Sequence, residues 1–120
     1  MNLDRYQELA LRTQNRELTP EQLIAQGSMG LAGESGELID LLKKHLFHGH
    51  SLDLGEVMSE IGDVLWYVAT LSDALGLSLE EVAFENLKKL QLRYPEGFSS
   101  LSSVERMERT HGCIHHESEV

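Results

Sequence analysis

A chain of 120 residues, 41% of them hydrophobic, suits one domain with a core of its own and needs no metal or disulfide staple to fold. Twenty Asp and Glu against ten Lys and Arg give a net charge of −10, which opposes phosphate backbones and anionic lipid, so neither nucleic acid nor a membrane surface is an expected partner. A lone cysteine, Cys113, excludes an internal disulfide, and Val64 to Leu71, the most apolar stretch, is far shorter than the roughly 20 residues of a membrane span. The N-terminal MNLDRYQELALRTQNREL carries charges where a signal peptide has an apolar core, so a soluble protein of the reducing cytoplasm is expected.

Residues 3–16 place Leu3, Tyr6, Leu9, Ala10 and Thr13 at three-to-four spacing, which predicts a first amphipathic helix after Asn2 or Asp4. Thr19, Pro20 and Gln22 form a capping box with proline at the first helical position, opening a second helix that runs to about Phe47. Gly27, Gly30, Gly33 and Gly36 recur within it and weaken it, by roughly 0.5–1 kcal/mol each, so a kink or a close approach of two helices is expected there. A phosphate-cradling loop is not, because no strand precedes these glycines.

His48-Gly49-His50-Ser51 ends the second helix in a loop, whose histidines either reach a substrate or lie in solvent. A third helix runs from an Asp53 cap to Leu75, where Gly76 stops it. Ser78 and Glu81 make a capping box for a fourth, which ends near Tyr94 because Pro95 disfavours helical geometry before it. No segment alternates with the period of a strand. The expected fold is therefore all-α, a four-helix bundle-like domain over residues 1–98 with a poorly structured tail over 99–120. The tail allows a helical turn or two after Ser102; its His111, Cys113, His115 and His116 match no zinc spacing.

The chemistry is sought in two acidic pairs, Glu34 with Glu37 and Glu60 with Asp63, each three residues apart in an apolar helix. At about 100° per residue, Glu34 shares its side with Leu31, Leu38 and Leu41, and Glu60 shares its side with Val57, Val64 and Tyr67. Glu37 and Asp63 flank them, and Glu56 stands roughly on the same side as a candidate outer member. Converging carboxylates turned toward a core repel one another and lose hydration, and a divalent cation resolves both costs. Oxygen donors without Cys or His indicate Mg²⁺ or Mn²⁺, and Mg²⁺ characteristically completes its shell with water and phosphate. The plainer alternative leaves these acids as solvated helix residues, pairing with Lys44 or His45.

On the fourth helix Asn86, Lys89 and Arg93 share a side with Leu79, Val82, Ala83 and Leu90. Either the long basic stems reach outward past the core or the cations neutralise a polyphosphate. Tyr67 lies on the acidic side, where both nucleotide contact and core packing are open to it; Trp66 points elsewhere, toward core or a subunit interface.

The texts GLAGESGELIDLLKK, EIGDVLWYVATLSDALG and NLKKLQLRYPEGF together resemble the MazG-like all-α nucleoside triphosphate pyrophosphohydrolases, over roughly residues 20–98. The resemblance implies Mg²⁺-dependent hydrolysis of a nucleoside triphosphate or modified nucleotide between its α and β phosphates, releasing pyrophosphate as nucleotide-pool house-cleaning. It implies metal ligation by Glu34, Glu37, Glu60 and Asp63, phosphate contacts from Lys89 and Arg93, and Asn86 at the edge of the nucleotide. Dimers or tetramers are implied as well. The fuller family motif has a glutamate where this chain has Gly33, so the attacking water would be activated by metal alone or by a remaining carboxylate, Glu37 being the preferred base because it lies at the edge of the set. The alternative function is a helical module that binds metal and nucleotide without turnover. A redox di-iron bundle would need Glu-x-x-His pairs, which neither acidic motif supplies.

Overall fold

The computed structural model describes residues 1–106. Four α-helices, α1 (Leu3–Ala10), α2 (Pro20–Phe47), α3 (Leu54–Ala74) and α4 (Leu79–Arg93), with a 3₁₀ turn at Leu11–Thr13, precede a further helical stretch over residues 100–106. Among the described residues there is no strand, only an isolated bridge between Pro95 and Gly97. By their contacts the residues form two compact units, Met1–Val82 and the chain from Ala83 onward.

In the first unit, local signals set most helix ends. Asn2 caps α1 by accepting from the Arg5 amide at 2.8 Å, and Thr19 and Gln22 complete the reciprocal capping box of α2. The Asp53 side chain accepts from Gly55 and Glu56 at the start of α3, while Gly76 at φ +75° allows the chain to leave its end. Ser78 and Glu81 make the expected box before α4. The first helix is shorter than the pattern of residues 3–16 suggests. It tightens to 3₁₀ at Leu11, the Thr13 hydroxyl donates to the Ala10 carbonyl at 2.7 Å, and Gln14 is already extended.

The second helix is one unbroken element of 28 residues, not a broken one. Its glycines explain why. A Cβ on Gly27 would stand 2.9 Å from Leu71 Cβ, and one on Gly30 would enter the Tyr67 ring, so both positions let α3 lie close against α2. As α2 advances from Gly27 to Gly30, its facing residue on α3 retreats from Leu71 to Tyr67, which makes the pair antiparallel. Gly33 and Gly36 differ, since a Cβ at either would meet nothing within 4 Å.

The best-buried part of this unit is where α1, the end of α3 and the start of α4 meet, at Ala10, Ala69 and Leu79. The buried Gln7 side chain ties all three together. Its amide donates to the Ala69 and Leu77 carbonyls at 3.1 Å each, and its carbonyl accepts from the Leu79 amide at 2.9 Å. Leaving one such buried backbone group without its partner costs about 1–3 kcal/mol.

In the second unit α4 continues to Arg93 and gives way to a tight turn with Gly97 at φ +87°. The Tyr94 and Phe98 rings meet across that turn at 5.5 Å between centroids. Ser99 then accepts from the Ser102 amide and opens a helical stretch over residues 100–106, where a turn or two was expected. The tail residues His111, Cys113, His115 and His116 lie outside the described residues.

Candidate functional site

The α2–α3 seam that closes over Gly27 and Gly30 continues one turn further into carboxylates. Spacing of three puts Glu60 and Asp63 on one face of α3, and antiparallel packing brings Glu34 of α2 opposite them. One oxygen from each of Glu34, Glu60 and Asp63 lies within 4.8 Å of the others. Glu34 and Glu60 are partly buried and Asp63 is exposed, so the cluster opens on one side to solvent.

Two observations show that the cluster is electrostatically incomplete as it stands. Glu60 Oε2 is buried and has no hydrogen-bond partner. Burial pushes the Glu60 carboxyl above its usual range, and its contact with the Glu34 carboxyl and the charges of Glu34, Asp63 and Glu37 push it further. A buried acceptor without a donor, beside like charges, is what a cation would correct. The donors are all carboxylate oxygens, so the residues fit a hard divalent ion.

Glu37, the fourth expected ligand, is exposed and outside the three-oxygen group, although its charge reaches both Glu60 and Lys44. Lys44 pairs with Asp40 at 2.8 Å, and Lys43 with the same carboxylate at 3.1 Å, which holds Asp40 below the usual carboxylate range. The plainer expectation, in which the basic end of α2 pairs with Glu34 or Glu37, is therefore not what the helix does. Glu56, the candidate outer member, is exposed one turn before Glu60.

Tyr67 lies across Gly30 at the aromatic end of the seam, and Trp66 stands edge-on to it at 4.9 Å. The Trp66 indole donates to the Thr13 hydroxyl at 2.8 Å and to the Ala10 carbonyl at 3.3 Å, tying α3 to the end of α1 as its direction away from the acids suggests. Asn86, Lys89 and Arg93 occupy successive turns of α4 in the second unit, the first two exposed and Arg93 partly buried.

Sequence reasoning missed Tyr6. Its phenol is pushed up by partial burial and by the charge of Asp63, a carboxylate of the acidic cluster. Nothing local in the sequence signals this, because Tyr6 reads there as one more residue of an amphipathic stripe. Its rotational setting is fixed by its neighbour Gln7, whose partners are 62 to 72 residues away in the chain.

None of the described helices is long and apolar enough to cross a membrane. Residues 21–98 match the family model of the MazG nucleotide pyrophosphohydrolase domain. The Gene 37 protein of Mycobacterium phage L5 is 39% identical over 74 residues, covering 58% of this chain and 65% of that protein. The chain thus matches slightly less than two thirds of that relative's length. No solved structure matches it.

Proposed function

The chain belongs to the MazG nucleotide pyrophosphohydrolase family, and from that premise we propose that it hydrolyses a nucleoside triphosphate between its α and β phosphates with Mg²⁺. The observation that carries this reading is the trio of Glu34, Glu60 and Asp63 oxygens within 4.8 Å, one of whose glutamates keeps a buried oxygen without a donor. The catalytic domain spans residues 1–98, and the setting is the cytoplasmic nucleotide pool.

Glu34, Glu60 and Asp63, with Glu37 beside them, would hold the metal. When bound, Mg²⁺ (or Mn²⁺) supplies positive charge to the phosphate oxygens and lowers the pKa of a coordinated water. Glu37, exposed at the edge of the cluster, accepts the proton of the attacking water. The new P–O bond forms at the α-phosphorus while the bond to the bridging oxygen breaks, and pyrophosphate leaves with both bonding electrons. The family resemblance gives Lys89 and Arg93 the role of binding phosphate oxygens and opposing the charge that builds on the leaving group, and Asn86 that of meeting the nucleotide, while Tyr67 would border it.

A homo-oligomer is part of the proposal, as a dimer or tetramer. Leu54, Met58, Ile61 and Leu65 form a stripe along α3 that is 38–73% exposed, and Ile39, Leu42 and Leu46 on α2 are 36–68% exposed. At about 100° per residue both stripes lie roughly a third of a turn from the seam glutamates, which in antiparallel helices puts them on one side. An apolar face of this extent marks a protein interface. Sedimentation of wild type against Ile61→Glu is expected to show an oligomer reduced to smaller species, and a wild-type monomer would remove this part.

The enzyme is tested by measuring pyrophosphate release from a panel of canonical and modified NTPs and dNTPs with Mg²⁺. Release from at least one is expected, and none from any would leave the second reading, a nucleotide-binding module without turnover. Gly33, which faces open space at the position where the resemblance leads one to expect a glutamate, favours that alternative.

A further inference from the structure

The acidic seam ends differently in its two directions. Toward α1 it meets aromatic rings, Tyr67 across Gly30 and Trp66 beside Tyr67. Toward the α2–α3 loop it runs into a small cavity of about 50 Å³ whose walls include Lys44, His50, Ser51 and Glu56. Glu56 stands one helical turn from Glu60, about 6 Å along α3, and Leu41, also on the wall, lies seven residues from Glu34, about 10 Å along α2. That is within reach of a phosphate chain anchored at the acidic cluster.

The loop over this cavity is firmly built. His48 and His50 both donate their amides to the Lys44 carbonyl, at 3.0 and 3.2 Å, and His45 Nδ1 lies 2.8 Å from the His50 carbonyl oxygen. Gly49 at φ +73° makes the reversal that places His50 back beside Lys44, a conformation a side chain would resist. Asp53, also on the wall, has Oδ1 engaged by the Gly55 and Glu56 amides. Lys44 is thus a cation at the loop end of the seam, held to Asp40 by an exposed pair and felt by Glu37. An exposed pair of this kind exchanges readily for a phosphate partner.

We propose that Lys44 and the braced loop bearing His50 bind the terminal phosphates of the substrate, so that the triphosphate runs along the α2–α3 seam with its outer end at the loop and its nucleoside at the aromatic end. The proposal rests on the pyrophosphohydrolase reading for its substrate class. It adds a direction to the bound nucleotide and a role for the His48-Gly49-His50 loop. Asp40 acts as the resting partner of Lys44 and gives it up when phosphate arrives.

The test is calorimetric titration of the full chain with Mg²⁺ alone and with pyrophosphate in Mg²⁺. Lys44→Gln is expected to weaken pyrophosphate binding at least about tenfold while leaving Mg²⁺ affinity unchanged, and Lys44→Arg to keep most of it. Lys43→Gln, which removes the other lysine at Asp40, is expected to bind like wild type. Unaltered pyrophosphate affinity in Lys44→Gln, an equal loss in Lys43→Gln, or no binding by the wild type would overturn the proposal. Wild type that binds pyrophosphate but releases none from any nucleotide would instead refute the enzyme reading and leave this site standing.

Discussion

The two halves of the α2–α3 seam are made from the same pair of helices yet solve opposite problems. At Gly27 and Gly30 the absence of a side chain on α2 lets Leu71 and Tyr67 press against its backbone, and the seam is closed by packing. One turn on, Glu34, Glu60 and Asp63 put like charges where the packing would continue. The closed half can hold the open half in register because neither helix breaks between them. Repulsion that would spread two loose helices is contained here and left for a ligand to relieve.

The sharpest way to break this contrast is at Glu60. On the proposed function, Glu60→Gln is expected to lower Mg²⁺-dependent pyrophosphate release by more than about 100-fold, since it removes a proposed metal ligand where even outer partners of metal sites are worth 10–100-fold. Its stability should move the other way. The Glu60 carboxyl is held above its ordinary 4.5 in the fold, so its own contribution to the stability of metal-free protein is fully present below that value and is lost as pH rises through the raised one. Relative to Glu60→Gln, wild type without metal should therefore lose melting temperature as pH rises through the raised value and regain it with Mg²⁺. A difference between the two that does not change with pH would mean that the seam stores no repulsion.

A smaller effect is expected in the closed half. Gly27→Ala puts a Cβ against both Leu71 Cβ and the Leu71 backbone, at 2.9 and 3.1 Å, and should cost about 1–3 kcal/mol in denaturant unfolding, as overpacking does. The smallest effect, of opposite sign, is expected at Gly33 and Gly36. Alanine at either meets nothing within 4 Å and should stabilise the helix by about 0.4–1 kcal/mol. If all three substitutions gave the same change, the glycines would be acting through helix propensity alone and the division of the seam would fail.

These glycines also show what was legible in the sequence. A period of three in α2 suggested either a break or a close approach, and only the position of Leu71 and Tyr67 on another helix decides between them. Helix ends at Thr19, Asp53, Ser78 and Gly76 were legible because each depends on atoms within a few residues. The acidic pairs were legible because helical period fixes which residues share a side. The early end of α1, the effect of the Asp63 charge on Tyr6 and the pairing of Lys44 with Asp40 were not. Each is settled by distant packing or by choice among several nearby carboxylates, and neither leaves a local mark.

Gln7 has a bearing on how this chain tolerates change in length. Its single amide group reads three backbone positions, Ala69, Leu77 and Leu79, that straddle the α3–α4 turn. The side chain thereby measures that turn, and a residue added or removed within it would put at least one of the three backbone groups out of reach. Surface turns usually absorb insertions at little cost. This one is gauged by a side chain 62 to 72 residues earlier in the sequence, so natural length variants in the chain should collect in other connections.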